Sequence, residues 1–380
     1  MEMIPQNEFI MKKRIHIISA FFLLMMAAAS CSDWTKPEAN VYEPAGVEGS
    51  DKDEEYYANL RAWKASRMVD ESGVPNRSVS FGWFSDWTGV GVNMSNQLMG
   101  LPDSVDFVSM WGNWHGLSPE KKEDLRKVQE IKGTKVLMCF IIGNIGDQTT
   151  PQEVRTSKNV NGVQYSTEQD AVNAYWGWNE DKEAAIRKYA RSILDTIKVY
   201  NWDGFDLDLE PHYGSAGNIA SYPERLHMLL DEMSKELGPK SGTDKLLCVD
   251  GEPDWLLPED GPLLDYFIIQ AYYDGSDSSI DGRLDGLFRT YSDIYSREAI
   301  VGKTILCVNY ESYGTSGGGS YNSRVLGRTF KLNGYAAYRY PEVEAPIGGI
   351  GAFRMIFDKD YAFFREAMKT LHSGNIGTNE

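Results

Sequence analysis

Three carboxyl side chains occupy alternate positions in one short segment, at Asp206, Asp208 and Glu210. In a β-strand alternate side chains point to one face, so these carboxyls share a face while the apolar residues between them pack on the other. Like charges this close cannot all ionise cheaply, so at least one carboxyl should keep its proton near neutral pH. Such a proton predicts a general acid.

The Asp-x-Asp-x-Glu spacing alone also suits roles other than catalysis. Acidic residues at the end of a strand often solvate a loop or bind a divalent cation, because carboxylate oxygens suit Mg²⁺ and Ca²⁺. The longer string from Asp203 to Glu210 is much less common by chance. It resembles the signature of glycoside hydrolase family 18, Asp-Gly-x-Asp-x-Asp-x-Glu, at every fixed position. This family contains the chitinases and the endo-β-N-acetylglucosaminidases.

The resemblance implies a substrate-assisted mechanism, in which the carbonyl oxygen of the substrate's own 2-acetamido group attacks the anomeric carbon and gives an oxazolinium intermediate. Carried over by position, Glu210 protonates the leaving oxygen and then activates water as a base. Asp208 orients the acetamido N–H, and Asp206 shares a hydrogen bond or proton with Asp208. Asp203 has the opposite strand parity, and we assign it a structural role.

The predicted sixth strand ends in a polar segment, with Gln270 and Tyr272 on one face. In a barrel both side chains can reach the mouth beside Glu210. The segment resembles the sixth strand of the family, whose Tyr hydroxyl hydrogen-bonds the acetamido carbonyl during the attack. The resemblance therefore places Tyr272 in the catalytic set, with Gln270 as a polar neighbour. The alternative is that tyrosines merely cap an apolar strand.

Further candidates for sugar contacts lie near the ends of other predicted strands: Trp83, Trp111, Asn144, Asn309 and Arg354. Four tryptophans in following loops could form a stacking platform for sugars or pack in the core: Trp87, Trp114, Trp176 and Trp178. His115 and His212 have no partner at metal-ligand spacing. We therefore predict no metal and no cofactor.

The predicted last strand, Gly348 to Met355, resembles the Gly-Gly eighth strand of the family. Chitinases usually place a Trp there, whereas this sequence offers only Phe353, Arg354 or Met355. The connection from Glu311 to Ile347 is also too short for the α+β insertion of deep-groove chitinases. These departures favour the endo-β-N-acetylglucosaminidases, which hydrolyse the GlcNAc-β1,4-GlcNAc core of N-linked glycans with retention. A chitinase-like hydrolase of GlcNAc polymers and a non-catalytic glycan-binding lipoprotein on the same barrel are the alternatives.

Short apolar runs alternate with helical patterns along the chain, which is typical of βα units around a parallel sheet. We predict eight strands, at 78–83, 104–111, 135–142, 203–210, 246–250, 264–272, 304–310 and 348–357. The predicted helices cover 53–69, 119–131 after the N-cap Ser118, 180–200 and 223–237. Residues 53–380 are therefore predicted to form a single α/β domain, a (β/α)₈ TIM barrel with its active site at the C-terminal ends of the strands.

The N-terminus has the pattern of a secreted lipoprotein. Lys12-Lys13-Arg14 precede an apolar run that ends at Ala28-Ala29-Ser30-Cys31, which resembles a bacterial lipobox. We predict a signal peptide over 1–30, starting at Met1 or Met11, and a lipidated Cys31. A soluble secreted protein is the alternative. The Pro- and Gly-rich segment 31–52 is predicted to be a flexible tether. Similar lipoproteins of glycan-foraging Bacteroidetes suggest an outer-membrane anchor facing the periplasm or the cell surface.

Charge and cysteine content restrict the partners further. Residues 1–30 hold three basic and two acidic groups, so the mature chain has 35 against 53 and a net charge of −18. This balance argues against nucleic acid or anionic membrane surfaces as partners. We expect a monomer that binds N-glycans of glycoproteins. Cys139, Cys248 and Cys307 lie in apolar runs and make no disulfide framework, although one pair could still form.

Overall fold

The computed structural model describes residues 52–66, 76–91 and 93–373. The predicted signal peptide, the lipidated Cys31 and the predicted tether up to residue 51 lie outside the described residues. Within the described ranges, no helix is long and apolar enough to span a membrane.

Eight parallel strands close into a barrel in chain order, and the last strand pairs with the first. The strands are β1 Val79–Phe84, β2 Phe107–Trp111, β3 Lys135–Ile141, β4 Gly204–Leu209, β5 Leu246–Gly251, β6 Tyr266–Ile269, β7 Thr304–Asn309 and β8 Gly349–Phe353. Val79 lies opposite Gly349 where β1 meets β8. The prediction of a single (β/α)₈ TIM barrel is confirmed.

Helices surround the barrel on the outside. They are α1 Glu54–Ala65, α2 Pro119–Lys127, α3 Gln152–Ser157, α4 Glu168–Trp176, α5 Lys182–Tyr200, α6 Pro223–Met233, α7 Asp277–Tyr291, α8 Arg297–Lys303, α9 Tyr310–Tyr313, α10 Lys331–Ala336 and α11 Ala362–Ser373. Ser118 caps α2 as predicted, because its side chain accepts a hydrogen bond from the Lys121 N–H. The helical rhythm beyond α2 continues as a π-helix, Val128–Lys132, which ends at the left-handed Gly133.

Two predicted strands extend three or four residues beyond the observed ones at the barrel mouth. β6 ends at Ile269, so Gln270 and Tyr272 project from the chain just beyond the ladder. β8 ends at Phe353 because Arg354 has a φ of 49°, a left-handed conformation that a strand does not contain. Both ends leave polar or aromatic side chains at the rim.

Two connections at the mouth carry small hairpins that the sequence patterns do not predict. One hairpin pairs Asn159–Val160 with Val163–Gln164 between α3 and α4. The other pairs Ser320–Ser323 with Gly327–Phe330 between α9 and α10. The strands are too short and too polar to show a period of two over several residues.

Two hydrophobic layers hold the barrel together, one between strands and helices and one inside the barrel. The tryptophans considered for a sugar platform all lie in the outer layer and are buried: Trp87, Trp114, Trp176 and Trp178. The Trp87 indole N–H donates to Asp124 Oδ2 at 2.7 Å, and that of Trp176 donates to Thr150 Oγ1 at 2.8 Å. Core packing therefore accounts for these four residues.

Candidate active site

Strand β4 carries its acidic residues into the interior and up to the mouth of the barrel. Asp206 and Asp208 point inward and are 0% and 2% exposed, and Glu210 follows directly after the strand. Asp203 lies at the opposite end of β4, where its Oδ2 accepts hydrogen bonds from the Val136 N–H and from Gln129 Nε2, both at 2.8 Å. It joins β3 to β4, and this is a structural contact.

Asp206 is the deepest of the three acids. The Ser109 hydroxyl on β2 donates a hydrogen bond to its Oδ2 at 2.7 Å. Burial raises the pKa of Asp206 to about 6, although hydrogen bonds to its ionised form, led by that of Ser109, oppose the shift. Ser109 was not recognised in the sequence, because a single Ser within an apolar run carries no pattern of its own.

Asp250, the penultimate residue of β5, is a further buried acid that the sequence motifs do not identify. It lies opposite Asp208 in the β4–β5 register and is 0% exposed. Gln270 Nε2 donates to Asp250 Oδ1 at 2.7 Å and lies 3.5 Å from Asp208 Oδ1. Burial, and then the neighbouring carboxyls, raise the pKa of Asp250 well above its ordinary value. The sequence could have indicated Asp250 as a site residue, because it is an Asp near the end of the predicted strand that follows the acidic strand.

A cavity of about 210 Å³ opens at the C-terminal mouth above these acids. It is lined by Trp83, Trp111, Ile141, Asp208, Glu210, Gln270, Tyr272 and Phe353. The Phe353 ring lies edge-on to Trp111 and Trp83, at centroid distances of 5.4 and 6.1 Å. The cavity thus combines an aromatic wall with a carboxyl, amide and phenol cluster, as a site that holds one sugar ring requires.

The environment of the cavity favours the protonated form of two of its groups. Burial raises the pKa of the Glu210 carboxyl, and Gln270 opposes the shift while the nearby Glu252 adds to it. Burial likewise raises the pKa of the Tyr272 hydroxyl well above its ordinary value. Glu210 can therefore donate a proton, and the phenol stays a hydrogen-bond donor.

Three of the predicted sugar-contact residues do not line this cavity. Asn144 Oδ1 accepts from the Asn218 N–H at 3.0 Å, and Asn309 Oδ1 accepts from the Ser312 N–H at 3.0 Å as the cap of α9. Arg354 forms ion pairs with Asp86 at 2.7 Å and with Glu311 at 2.6 Å. Of the three residues offered by the last strand, it is Phe353 whose side chain faces the cavity.

One cluster has donor atoms close enough to hold a metal ion. Such atoms of Cys139, Asp206 and Asp250 lie within 4.8 Å of one another inside the barrel. Burial, followed by the adjacent carboxyls, raises the pKa of the Cys139 thiol well above its ordinary value, so the thiol keeps its proton and is a poor metal ligand. The absence of a metal and of a cofactor stays a prediction.

Comparison with known proteins now places the chain in a family. Residues 35–374 match the sequence model of "Glycoside hydrolase family 18, BT1044-like". A solved structure of BT1044, as a selenomethionine-labelled Glu-to-Gln variant, is 32% identical, covers 86% of this chain and 95% of that chain, and has a TM-score of 0.70. The protein belongs to glycoside hydrolase family 18.

More distant structures also match the chain, and the first of them shares its fold. An endo-β-N-acetylglucosaminidase from Cordyceps militaris, solved with fucosyl-N-acetylglucosamine-Asn, is 16% identical with a TM-score of 0.53, covering 84% of this chain and 96% of that chain. A family 18 chitinase from Pseudoalteromonas aurantia is also 16% identical, with a TM-score of 0.47 over 77% of this chain and 100% of that chain. No curated protein matches the sequence.

Proposed function

We propose that this glycoside hydrolase is an endo-β-N-acetylglucosaminidase that cleaves the GlcNAc-β1,4-GlcNAc core of N-linked glycans and leaves one GlcNAc on Asn. The observation that supports the proposal is the single cavity in which Asp208, Glu210, Gln270 and Tyr272 meet an aromatic wall. Its volume suits one N-acetylglucosamine ring whose acetamido group points toward the buried acids. The predicted lipid at Cys31 would hold the enzyme at the outer membrane, where glycoproteins are available.

In the first step the acetamido carbonyl oxygen attacks the anomeric carbon, and the bond from that carbon to the leaving oxygen breaks. Glu210 gives its proton to the leaving oxygen and becomes a carboxylate. Asp208 accepts the acetamido N–H and balances the positive charge of the oxazolinium ring. The Tyr272 hydroxyl donates to the acetamido oxygen and fixes its direction of approach.

In the second step the Glu210 carboxylate takes a proton from a water molecule, which attacks the same anomeric carbon. The bond to the acetamido oxygen breaks, the electron pair returns to the acetamido group, and the sugar leaves with its original configuration. Glu210 regains the proton that it gave up, so the enzyme is ready for another turnover.

The shape of the mouth supports an N-glycan core over a chitin chain. Between β7 and β8 the chain forms α9, a 3₁₀ turn at Gly314–Ser316, the Ser320–Phe330 hairpin and α10, and these short elements leave the cavity without the wall of an inserted domain. The last strand brings Phe353 and no Trp to the cavity, so we expect a smaller aromatic surface for successive sugars than the Trp usual in chitinases would give. The structural relative from Cordyceps militaris was solved with a GlcNAc-Asn ligand, and the same ligand class suits this cavity.

The test is mass spectrometry of a panel of high-mannose and complex biantennary N-glycoproteins after incubation with the enzyme. We expect wild type to leave a single GlcNAc on Asn and Glu210→Gln to leave the glycans intact, because the variant has no proton to give. Glu236→Gln is the matched control and should act like wild type, because Glu236 lies just beyond α6, far along the chain from the acidic motif, and its carboxylate pairs with Lys198 of α5 at the surface.

Two other outcomes would reject this specificity. Cleavage of chito-oligosaccharides with the glycoproteins left intact would identify a chitinase-like enzyme. Retention of glycans on immobilised protein without any cleavage would identify a glycan-binding lipoprotein.

A further inference from the structure

Asp250 lies in the centre of the buried acids, and neither the family signature nor the mechanism above uses it. Asp250 lies opposite Asp208 in the β4–β5 register, and one of its carboxyl oxygens lies within 4.8 Å of a carboxyl oxygen of Asp206. Gln270 Nε2 donates a hydrogen bond to Asp250 Oδ1 at 2.7 Å. The carboxyl therefore links the deepest acid to the acid that faces the sugar.

Two oxygens in this cluster lack a donor. Asp206 Oδ1 and Asp250 Oδ2 are buried and have no hydrogen-bond partner among the side chains and backbone groups that the structure describes, as long as both carboxyls are ionised. An unsatisfied buried carboxylate oxygen is expensive. A proton on Asp250 Oδ2 would relieve that oxygen, because it would then donate a hydrogen bond to a carboxylate of β4.

The charges around Asp250 also favour a neutral carboxyl. The titratable groups that face it come from four sides of the barrel: Asp206, Asp208 and Glu210 from β4 and its end, Cys139 from β3, Tyr272 from the end of β6 and Cys307 from β7. Each is neutral or negative, so none of them compensates a second anion beside Asp208.

We propose that Asp250 is a positioning residue that stays protonated and donates a hydrogen bond to the carboxylate of Asp208. Gln270 fixes its rotamer by donating to the other oxygen, which leaves the O–H directed at the β4 acids. Asp208 is thereby held ionised and correctly oriented when the acetamido N–H arrives. The inference rests on the proposed substrate-assisted mechanism and adds to it the residue that sets the charge of Asp208.

Two variants of nearly the same shape separate donation from packing. Asp250→Asn keeps a neutral N–H donor toward β4 and an acceptor for Gln270. Asp250→Leu keeps the branching at Cγ, with a larger side chain, but has no donor. Asp203→Asn, a carboxyl change at the far end of β4, controls for the effect of altering a strand acid on folding.

We expect kcat of Asp250→Leu to fall by about 10-fold or more with little change in KM, because the orientation and charge of Asp208 matter mainly in the transition state. Loss of the donor raises the pKa of Asp208, so the acidic limb of the kcat profile moves to higher pH. Asp250→Asn should recover most of the loss and keep the limb near its wild-type position. Asp203→Asn should leave the acidic limb of the kcat–pH profile at its wild-type position.

The sign of the pH shift can overturn the proposal. If Asp250 were ionised, both variants would remove an anion beside Asp208, lower its pKa and move the acidic limb to lower pH. A merely structural role would lower the unfolding temperature of Asp250→Leu and its kcat without moving the limb.

Infrared difference spectra of wild type against Asp250→Asn at neutral pH test the protonation without any substrate. A protonated-carboxyl stretch that is lost in the variant is expected, and its absence would reject the proposal. The spectra do not depend on which glycan is cleaved, so this result stands apart from the outcome of the glycoprotein assay. The kcat, KM and pH-profile measurements on the Asp250 variants use whichever GlcNAc-containing substrate the wild type is shown to cleave.

Discussion

Asp208 and Glu210 are two residues apart on one strand, but their surroundings give them different tasks. Asp208 is 2% exposed and lies between buried acids, whereas Glu210 reaches the partly open mouth. Burial raises the pKa of both carboxyls, and for Asp208 the nearby charges of Glu210 and Asp206 add to the shift. Glu210 at the rim is thus placed to donate the proton, whereas Asp208 on the floor needs the hydrogen bond that we propose from Asp250 to stay ionised.

The Tyr272 hydroxyl gives a prediction at the same scale. We expect Tyr272→Phe to lower kcat by about 10- to 100-fold with a small effect on KM, because the phenol acts on the acetamido oxygen only as it attacks. Steady-state kinetics on the cleaved glycoprotein measure this. Tyr273→Phe is the control, because Tyr273 is 82% exposed and its ring does not line the cavity. Equal losses in both variants would contradict the assigned role.

Side-chain parity allowed the sequence to predict which acids share a face, but not which polar groups meet from separate strands. Asp206, Asp208 and Glu210 follow from a period of two, and Tyr272 follows from the family resemblance. Asp250 reaches the same cluster only through the register between β4 and β5. Arg354 was predicted to bind sugar, but the left-handed backbone there directs its guanidinium toward Asp86 and Glu311.

Strand β4 depends on a glycine at its first position. Gly204 has a φ of 152°, and a Cβ added there would lie 2.1 Å from the Leu246 carbonyl oxygen at the start of β5. The fixed Gly of the family signature therefore has a physical explanation, namely the close approach of two strand backbones. The strand that carries the acids is positioned by this contact at its lower end.

Gly204→Ala tests this contact. We expect the free energy of unfolding to fall by about 2–4 kcal/mol, because the new methyl group meets backbone that cannot move aside. Denaturant titration gives the value. Gly282→Ala, on the exposed face of α7 with no atom within 4 Å of its added Cβ, should instead stabilise by up to about 1 kcal/mol. A Gly204→Ala variant as stable as wild type would rule out the strand contact.

Element boundaries show where local sequence stops being informative. All eight strands were predicted from apolar runs, because the strands of a parallel barrel are buried on both faces. The predicted sixth strand continued to Tyr272, but the ladder stops at Ile269, where the register with its neighbours ends. Only the partner strands determine that end, so the local pattern could not show it.

Across the whole molecule, the acids inside the barrel oppose folding. Burial holds the pKa of Asp206 at about 6, against an ordinary value of 3.8. Well below pH 3.8 the carboxyl is protonated in both the folded and the unfolded state and has no effect on the pH dependence of stability. As pH rises toward 6 the unfolded chain releases the proton first, so the free energy of unfolding falls by on the order of 3 kcal/mol.

Asp206→Asn should remove this dependence. We expect the variant to gain stability relative to wild type as pH rises from about 4 to about 7. Denaturant titrations at both pH values give the difference, and Asp260, another buried acid with a pKa of about 6, contributes equally to both proteins. A constant difference between the variant and wild type would contradict the buried-charge explanation.

The three thiols inside the barrel have a practical consequence. Cys139, Cys248 and Cys307 are free and buried, and burial raises the pKa of each. An alkylating reagent attacks only thiolates that it can reach, so it cannot modify them until the strands separate. The rate of alkylation therefore measures how often the whole barrel opens. The three thiols are thus built-in probes of the kinetic stability of the protein.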